Sequence, residues 1–516
     1  MRIYLKNIGA DFPSAIVVFL VAIPLCLGIA VASGLSEFSG IIAGVIGGVV
    51  VGLISKSSLS VSGPAAGLTA IVAAAVLKLP AANVFFLAVV LAGVFQLIMG
   101  VLKLGVLGDY VPNSVIKGML AAIGIILIMK QIPHLVGYDK DYEGDETFIQ
   151  LSGENTFSAA INSLNHLTPM AVFIGLCGLA ILILYETAWV KKRKFFQYMS
   201  GPLLVVLVGI LINNTLGEAE TILAVKSAHL VNIPTADSSE EFLTFFSFPS
   251  WKSISNVEVW VIAITLALVA SLETLLSIEA IDKLDPNKRV TPPNRELIAQ
   301  GVGNIASGLI GGLPVTSVIV RSSANVNAGA KTKASAIIHG LLLLSCVAFI
   351  PDILNLIPKA ALAAILVFTG YKLAKITLFK EYYAKGWDQF VPFLVTIAAI
   401  VFTDLLKGVM VGMGVGLFYV IRNNFRTAVL CVNHENNYLI RLRKDVSFFI
   451  KPILKQKLEK IPDNANLILD LTNAEYLDKD VIDTINEFSQ HTSLKNIRFM
   501  IKKNDHNPLH RLVLVN

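Results

Sequence analysis

The chain has 516 residues, of which 55% are hydrophobic and 15% are charged, and its formal net charge is +6. A soluble domain carries about 25% charged residues, so this composition excludes a water-soluble enzyme. The apolar residues come in blocks of about 15–25 residues, the length at which a helix crosses a bilayer. Membrane β-barrels are excluded because their strands alternate and are only about ten residues long. We therefore predict an all-α polytopic membrane protein.

Fourteen apolar segments follow one another, and we number them 1 to 14 in chain order. They cover residues 12–32, 38–55, 64–78, 82–104, 113–131, 169–190, 199–214, 257–281, 294–312, 317–330, 334–350, 353–371, 389–404 and 406–424. Segments 3 (64–78) and 10 (317–330) are too short to cross a bilayer alone.

Orientation follows from the Lys and Arg residues between the segments, because these are enriched in cytoplasmic loops. With the N-terminus inside, the basic run 191–194 is cytoplasmic. The two long outer loops, 132–168 and 215–256, hold only Lys140, Lys226 and Lys252. We expect a multi-pass protein of the cell's inner membrane with both termini in the cytoplasm.

The composition changes after residue 426, where the chain becomes polar and mixed. Strands are predicted at 438–442, 466–471 and 497–501, and amphipathic helices at 450–460 and 479–490. We predict a transmembrane domain over residues 1–430 and a small cytoplasmic α/β domain over residues 433–516.

A Gly-Pro break opens segment 3. Residues 60–63 alternate like a strand, and Pro64 is expected at the first helical position, where its missing N–H is not needed. Ala65, Ala66 and Gly67 are small, so the helix N-terminus stays uncovered. Its free N–H groups and positive dipole end would face a cavity at mid-membrane depth. A proline kink packed against a neighbouring helix is the alternative.

A second Gly/Pro break opens segment 10, within residues 311–325. It occupies the corresponding place in the second set of seven segments. Paired interrupted helices in two halves are typical of an inverted-repeat transporter with a midplane site. The repeats would span about 12–214 and 257–424, and two helix N-termini at one cavity would favour an anion.

Glu273 lies about fourteen residues into segment 8 and follows an uncharged stretch. A carboxylate at this depth costs a few kcal/mol or more unless it is paired, protonated or metal-bound. We interpret it as a Na⁺ ligand or a proton carrier, with Ser277 one turn away as a further oxygen donor. Arg321 in segment 10 either adds positive potential to the anion site or balances Glu273. No Cys or His spacing typical of a metal site occurs, so we expect no metal beyond Na⁺ at Glu273, and no cofactor.

At this point the chain resembles the SulP family of anion transporters, the prokaryotic relatives of the SLC26 exchangers. The resemblance covers nearly the whole chain. It is carried by Asp11-Phe-Pro with Ile23-Pro24, Leu59-Ser-Val-Ser-Gly-Pro64, the run 293–304 (PNRELIAQGVGN) with Gly311-Gly312, and the STAS-like run 469–478 (LDLTNAEYLD).

The resemblance implies a seven-plus-seven inverted repeat in which a core domain moves against a gate domain, and a STAS-like domain at the C-terminus. The anion would lie between the N-termini of segments 3 and 10. It would contact Ala65 and the backbone of Val318 and Ile319. Na⁺ would be bound by Glu273, Ser277 and Ser317, and the protein would form a homodimer.

The chain also departs from the family pattern. Leu25 replaces a Gln that contacts the anion in many members, and the bicarbonate branch has hydroxyl residues where this chain has Ala65 and Ile319. Glu273 replaces an Asp, which favours H⁺ over Na⁺. Lys479 stands where related STAS domains carry a phosphorylatable Ser, so regulation of that kind is not expected.

The leading hypothesis is a secondary active transporter that takes up bicarbonate with Na⁺. Sulfate or dicarboxylate transport with protons, or anion exchange, is the alternative. A uracil or xanthine permease would share the fold, but the usual motif of such permeases does not occur in segment 10 of this chain. A channel or a membrane scaffold is a different class, against which the intramembrane Glu273 argues. We find no enzyme motif. Carbonic anhydrase, which would consume the bicarbonate, is a candidate functional partner.

Overall fold

In a computed structural model of the chain, the described residues are 2–141, 148–150, 153–187, 190, 201–216, 229–233, 235, 238–504, 509 and 513. Side chains at 2–6, 70, 107–109, 216, 239, 423–428 and 444–445 lie outside the description. The chain divides into two units, Met1–Met413 and Gly414–Asn516.

Helices dominate the first half of the chain. They are α1 (Arg2–Ala32), α2 (Glu37–Ile46), α3 (Thr69–Lys78), α4 (Ala82–Val101), α5 (Asn113–Leu135), α6 (Thr156–Ser163), α7 (Pro169–Glu186) and α8 (Gly201–Leu216). A π-helical turn at Gly47–Val51 extends α2, so that Glu37–Ile54 forms one apolar span.

The second half repeats this pattern. Its helices are α9 (Ser239–Thr244), α10 (Val257–Leu284), α11 (Pro293–Leu309), α12 (Ile319–Asn327), α13 (Ala334–Phe349), α14 (Lys359–Leu373), α15 (Ile376–Ala384), α16 (Trp387–Phe402) and α17 (Leu405–Ala428). Each of the fourteen predicted segments contains a helix. Eight of the described helices are long and apolar enough to cross a membrane by length and composition, so the count of fourteen crossings stays a prediction.

The largest differences from the predicted boundaries lie at the starts of segments 1 and 12. Helix α1 begins ten residues before segment 1, at Arg2. In segment 12 a short α-helical turn at Pro351–Leu354 is separate from the main helix, which begins at Lys359. Pro358 explains the second difference, because the residue before a proline is disfavoured in the helical conformation.

Glycines set the closest helix contacts in the first unit. A Cβ at Gly93 would lie 2.6 Å from the carbonyl oxygen of Gly301, where α4 (segment 4) meets α11 (segment 9). Gly48 and Gly340 approach equally closely, where segment 2 meets segment 11. Small residues let helices approach in this way. If each segment number is shifted by seven, the pair of segments 4 and 9 becomes the pair 11 and 2. A seven-plus-seven repeat requires this relation.

The second unit contains a four-stranded sheet in the order β3-β4-β5-β6, counting two short strands of the first unit, Ser62–Pro64 and Val315–Ser317, as β1 and β2. Its strands are β3 (Val429–His434), β4 (Asn437–Val446), β5 (Asn466–Leu477) and β6 (Arg498–Lys502). β3 and β4 are antiparallel, and the other pairs are parallel. Helices α18 (Lys451–Glu459) and α19 (Lys479–His491) contribute Leu454, Leu458, Val481 and Ile485 to its core.

Candidate functional site

The two interrupted helices of the first unit meet through β1 and β2. The strands pair antiparallel, with Ser62 opposite Ser317, Gly63 opposite Thr316 and Pro64 opposite Val315. All six residues are buried. The two Gly/Pro breaks, about 250 residues apart in the sequence, therefore lie side by side.

The residues predicted to bind an anion lie at the two helix starts that follow these strands. Ala65 is extended, and Ala66–Leu68 forms a 3₁₀ turn before α3 begins at Thr69. Ser317 ends β2, and Val318 is extended before α12 begins at Ile319.

The prediction that Pro64 is the first helical residue is wrong. Pro64 ends β1 opposite Val315. The pairing with β2 holds the backbone of this stretch extended, so the helix starts two residues later with the 3₁₀ turn.

Glu273 lies directly against the first helix start. Glu273 is a buried residue of α10. A Cβ added at Gly67 would lie 2.9 Å from Oε1 of Glu273. The absence of a side chain at Gly67 thus makes room for the carboxylate. Ser277, one turn further along α10, is also buried.

Hydroxyl groups connect α10 with β2. The neighbour of Glu273, Thr274, accepts a hydrogen bond from the backbone N–H of Ser317 at 3.3 Å. The hydroxyl oxygens of Ser317 and Ser60 lie 2.5 Å apart. Sequence reasoning identified Ser317 but missed Thr274 and Ser60. The available signal for Thr274 was a polar residue beside Glu273 in an apolar helix.

Arg321 lies behind the paired strands. The residue is fully buried, and a Cβ at Gly63 would lie 2.2 Å from its Nη1. Cys26 and His339 are near enough for charge interactions with it. The guanidinium of Arg321 therefore lies beside β1, against Gly63, and its role at an anion site stays a prediction.

A cavity of about 230 Å³ adjoins the first helix start. Its wall is mostly apolar and includes Ala66, Gly67, Ile71, Ile123, Ile126, Val269, Ile400 and residues 404–407. A small adjoining cavity reaches Glu273. The cavity thus touches Ala66 and Gly67, while Ala65, Ser317, Val318, Ile319 and Arg321 are outside its lining.

A second cavity of about 230 Å³ lies elsewhere in the first unit. Its lining includes Pro13, Val17, Leu182, Glu186, Pro202, Ala324, Asn327, Ile365, Thr369 and Lys372. Lys372 and Glu186 form an ion pair at 2.5 Å. None of the predicted site residues lines this cavity.

Comparison with known proteins identifies the family. Residues 8–399 match the sulfate permease family. The putative sulfate transporter YvdB of Bacillus subtilis is 27% identical over 444 residues, covering 86% of this chain and 79% of that protein. The bicarbonate transporter BicA of Picosynechococcus is 26% identical over 428 residues, covering 81% and 70%.

Two solved structures are similar in fold. The transmembrane domain of a cyanobacterial bicarbonate transporter, BicA, aligns with a TM-score of 0.56 at 22% identity, covering 78% of this chain and 97% of that one. The overall structure of SLC26A9 aligns with a TM-score of 0.67 at 16% identity, covering 99% and 86%. Since the family match extends over more than half of the chain, this multi-pass membrane protein belongs to the sulfate permease family of anion transporters.

Proposed function

We propose that this protein is a secondary active transporter that takes up bicarbonate together with Na⁺. The anion would bind between the two helix starts that follow β1 and β2. The observation that carries the proposal is the antiparallel pairing of β1 with β2. It puts two helix N-termini, each with free N–H groups and a positive dipole end, beside the same crossing.

The residues at these helix starts favour a small anion of low charge. Ala65, Ala66 and Ile319 offer no side-chain donor, so recognition depends on backbone N–H groups and on the fixed charge of Arg321. The cavity wall is mostly apolar. A doubly charged anion would need more polar partners to replace its water, and this favours bicarbonate over sulfate.

Coupling is assigned to Glu273. A carboxylate among the apolar side chains of Val269, Leu276 and Leu405 carries a desolvation cost. Na⁺ bound there, with oxygens from Ser277 and Ser317, would remove that cost and place a positive charge next to the anion. Each ion would then bind more tightly when the other is present.

The second candidate is uptake of sulfate or a dicarboxylate coupled to protons. The same environment of Glu273 favours it, since a proton neutralises a carboxylate without further ligands. Anion exchange would use the same site without Glu273. The inner-membrane location, the cytoplasmic termini, the STAS-like assignment of the second unit, the homodimer and a link to carbonic anhydrase stay predictions.

The test is uptake into proteoliposomes of labelled bicarbonate and, separately, labelled sulfate. Each is measured with an inward Na⁺ gradient, with an inward pH gradient and with neither. We expect Na⁺-driven bicarbonate uptake that Glu273→Gln abolishes. The matched control is Glu258→Gln at the other end of α10, where the side chain is 42% exposed and pairs with Lys78.

Uptake of sulfate alone, or uptake that follows the pH gradient and ignores Na⁺, would replace the leading proposal by the second candidate. If Glu273→Gln and Glu258→Gln lose activity equally, the coupling role of Glu273 is refuted.

A further inference from the structure

Helix α11 carries a row of buried polar residues on one face. Glu296, Gln300 and Asn304 are spaced four residues apart, so they lie one above another along the helix. Their exposed fractions are 1%, 0% and 1%. Polar groups this deeply buried require hydrogen-bond partners, and theirs come from the strands and helices of the candidate site.

The lower part of this row holds the first strand. The amide of Gln300 donates to the hydroxyl of Ser62 in β1 at 2.7 Å, and to the carboxylate of Glu296 at 2.9 Å. Glu296 in turn accepts a hydrogen bond from Ser55, at the end of the span that begins with α2. Gln300 therefore fixes β1 to α11.

Asn304 holds the second strand. Its Oδ1 accepts from the backbone N–H of Val315 at 2.6 Å, and its Nδ2 donates to the carbonyl oxygen of Val315 at 2.9 Å. The residue opposite Val315 is Pro64, which has no N–H to donate. The side chain of Asn304 thus does for Val315 what a neighbouring strand would do.

Asn304 also connects β2 to the helix of Glu273. Its Nδ2 donates to Oε1 of Gln96 in α4 at 2.6 Å, and Nε2 of Gln96 is 3.3 Å from the hydroxyl oxygen of Ser271. Ser271 precedes Glu273 by two residues in α10. Gln96 and Ser271 are fully buried, so water cannot replace a partner that moves away.

We propose that Gln96 and Asn304 are positioning residues that couple the two ion sites. The inference rests on the proposed function, because it takes Glu273 as the coupling-ion site and the start of α12 as part of the anion site. The chain Ser271–Gln96–Asn304–Val315 makes α10 and β2 move together. Binding of the coupling ion at Glu273 then sets the position of the backbone N–H groups that follow β2.

Coupling between two binding sites typically changes affinity about 5- to 150-fold. In the wild-type protein we expect the KM for the anion to decrease by a factor in that range when the concentration of the coupling ion is raised to saturation. Gln96→Met keeps the size of the side chain and leaves both contacts between Asn304 and Val315 in place. It removes the link to Ser271 and Asn304 and leaves the direct hydrogen bond between Ser317 of β2 and Thr274 of α10 in place. The dependence of the anion KM on the coupling ion should therefore become weaker than in the wild-type protein.

The experiment measures the KM for labelled anion in proteoliposomes at a low and at a saturating concentration of the coupling ion, whichever of Na⁺ and H⁺ drives wild-type uptake. Gln131→Met in α5 is the matched control, since Gln131 is equally buried at 2% exposure and lies outside the network. We call the anion KM at low coupling ion divided by the anion KM at saturating coupling ion the KM ratio. The control should keep the wild-type KM ratio. Melting temperatures report whether either variant has lost its packing.

The inference is overturned if Gln96→Met keeps the wild-type KM ratio, or if Gln131→Met loses it to the same extent. In both cases the proposed function stands. If wild-type uptake depends on neither ion, the proposed function fails and the inference fails with it. Ser271→Ala removes only the last link of the chain. It provides the same readout if Gln96→Met does not fold, and must then lower the KM ratio.

Discussion

Gly67 is the residue at which the first helix start and Glu273 meet. A Cβ there would lie 2.9 Å from Oε1 and 3.3 Å from Oε2 of Glu273. Because these atoms end a flexible side chain, Gly67→Ala should displace the carboxylate and leave the fold intact. We expect the KM for the coupling ion to rise about tenfold, since overpacking costs about 1–3 kcal/mol and tenfold corresponds to ~1.4 kcal/mol.

The measurement is coupling-ion titration of anion uptake in proteoliposomes. Gly9→Ala is the control, because nothing lies within 4 Å of a Cβ at that position. An unchanged KM in Gly67→Ala would show that the carboxylate does not need its present place against the helix start.

Single residues were predictable where they break a local pattern. Glu273 is a charge in an apolar helix, and Gly67 follows a Gly-Pro break, so both stand out in the sequence. Gln96 and Asn304 do not, because a polar residue in a helix gains its meaning from partners that are distant in sequence. The position of the Arg321 side chain was not predictable either, since the guanidinium occupies the space left by the missing side chain of Gly63.

At the scale of elements, the loop between α8 and α9 is attached to the end of α5 through one carboxylate. Asp139 is 2.5 Å from Nδ1 of His134 and 2.6 Å from Nδ1 of His229. Burial by itself would raise the pKa of Asp139. The hydrogen bonds from both histidines and the charge of Lys359 outweigh burial, so the net result is a pKa well below the usual range of an Asp carboxyl. His229 thereby attaches the start of the segment 229–233, whose Val231 and Ile233 are also hydrogen-bonded to Ile357 and Asn355.

Asp139→Asn should loosen this attachment. A lost hydrogen bond to a charged group costs about 1–3 kcal/mol, so amide exchange in 229–233 should become about tenfold faster or more. The folded pKa lies below that of an unfolded Asp, about 3.9. The stabilisation is therefore complete above about pH 4, and falls away as the pH drops towards the folded pKa.

Hydrogen exchange measured by mass spectrometry at pH 7, where the stabilisation is complete, checks this. Glu154→Gln is the control, because Glu154 pairs with Lys140 in the loop that carries Asp139 and not with His229. Unchanged exchange in 229–233 would mean that the contact with Asp139 does not hold the segment.

Elements were predictable where hydrophobic length decides. All fourteen apolar segments contain helices, and the strands and helices predicted for the second unit occur in order. The strand at Val429–His434 was missed because it lies where the composition changes. The end of β1 at Pro64 was missed because the partner strand is about 250 residues away in the sequence.

At the scale of the whole transmembrane unit, the two cavities of about 230 Å³ are related by the repeat. The first is lined by segments 3, 5, 8, 13 and 14, and the second by segments 10, 12, 1, 6 and 7. A shift of seven converts one set into the other. An inverted repeat exchanges the two sides of the membrane, so the cavities should open on opposite sides, the first outside and the second in the cytoplasm.

Cysteine labelling tests this arrangement on the two half-helices themselves. Ile71 in α3 lines the first cavity and Asn327 in α12 lines the second. In a background whose four native cysteines are replaced by Ala, Ile71→Cys should react with an impermeant maleimide added outside. Asn327→Cys should react only in inverted vesicles. Lys252→Cys and Lys331→Cys mark the predicted outer and inner faces. Reaction of both cavity positions from one side would contradict the inverted repeat, because a parallel repeat places equivalent half-helices on the same side.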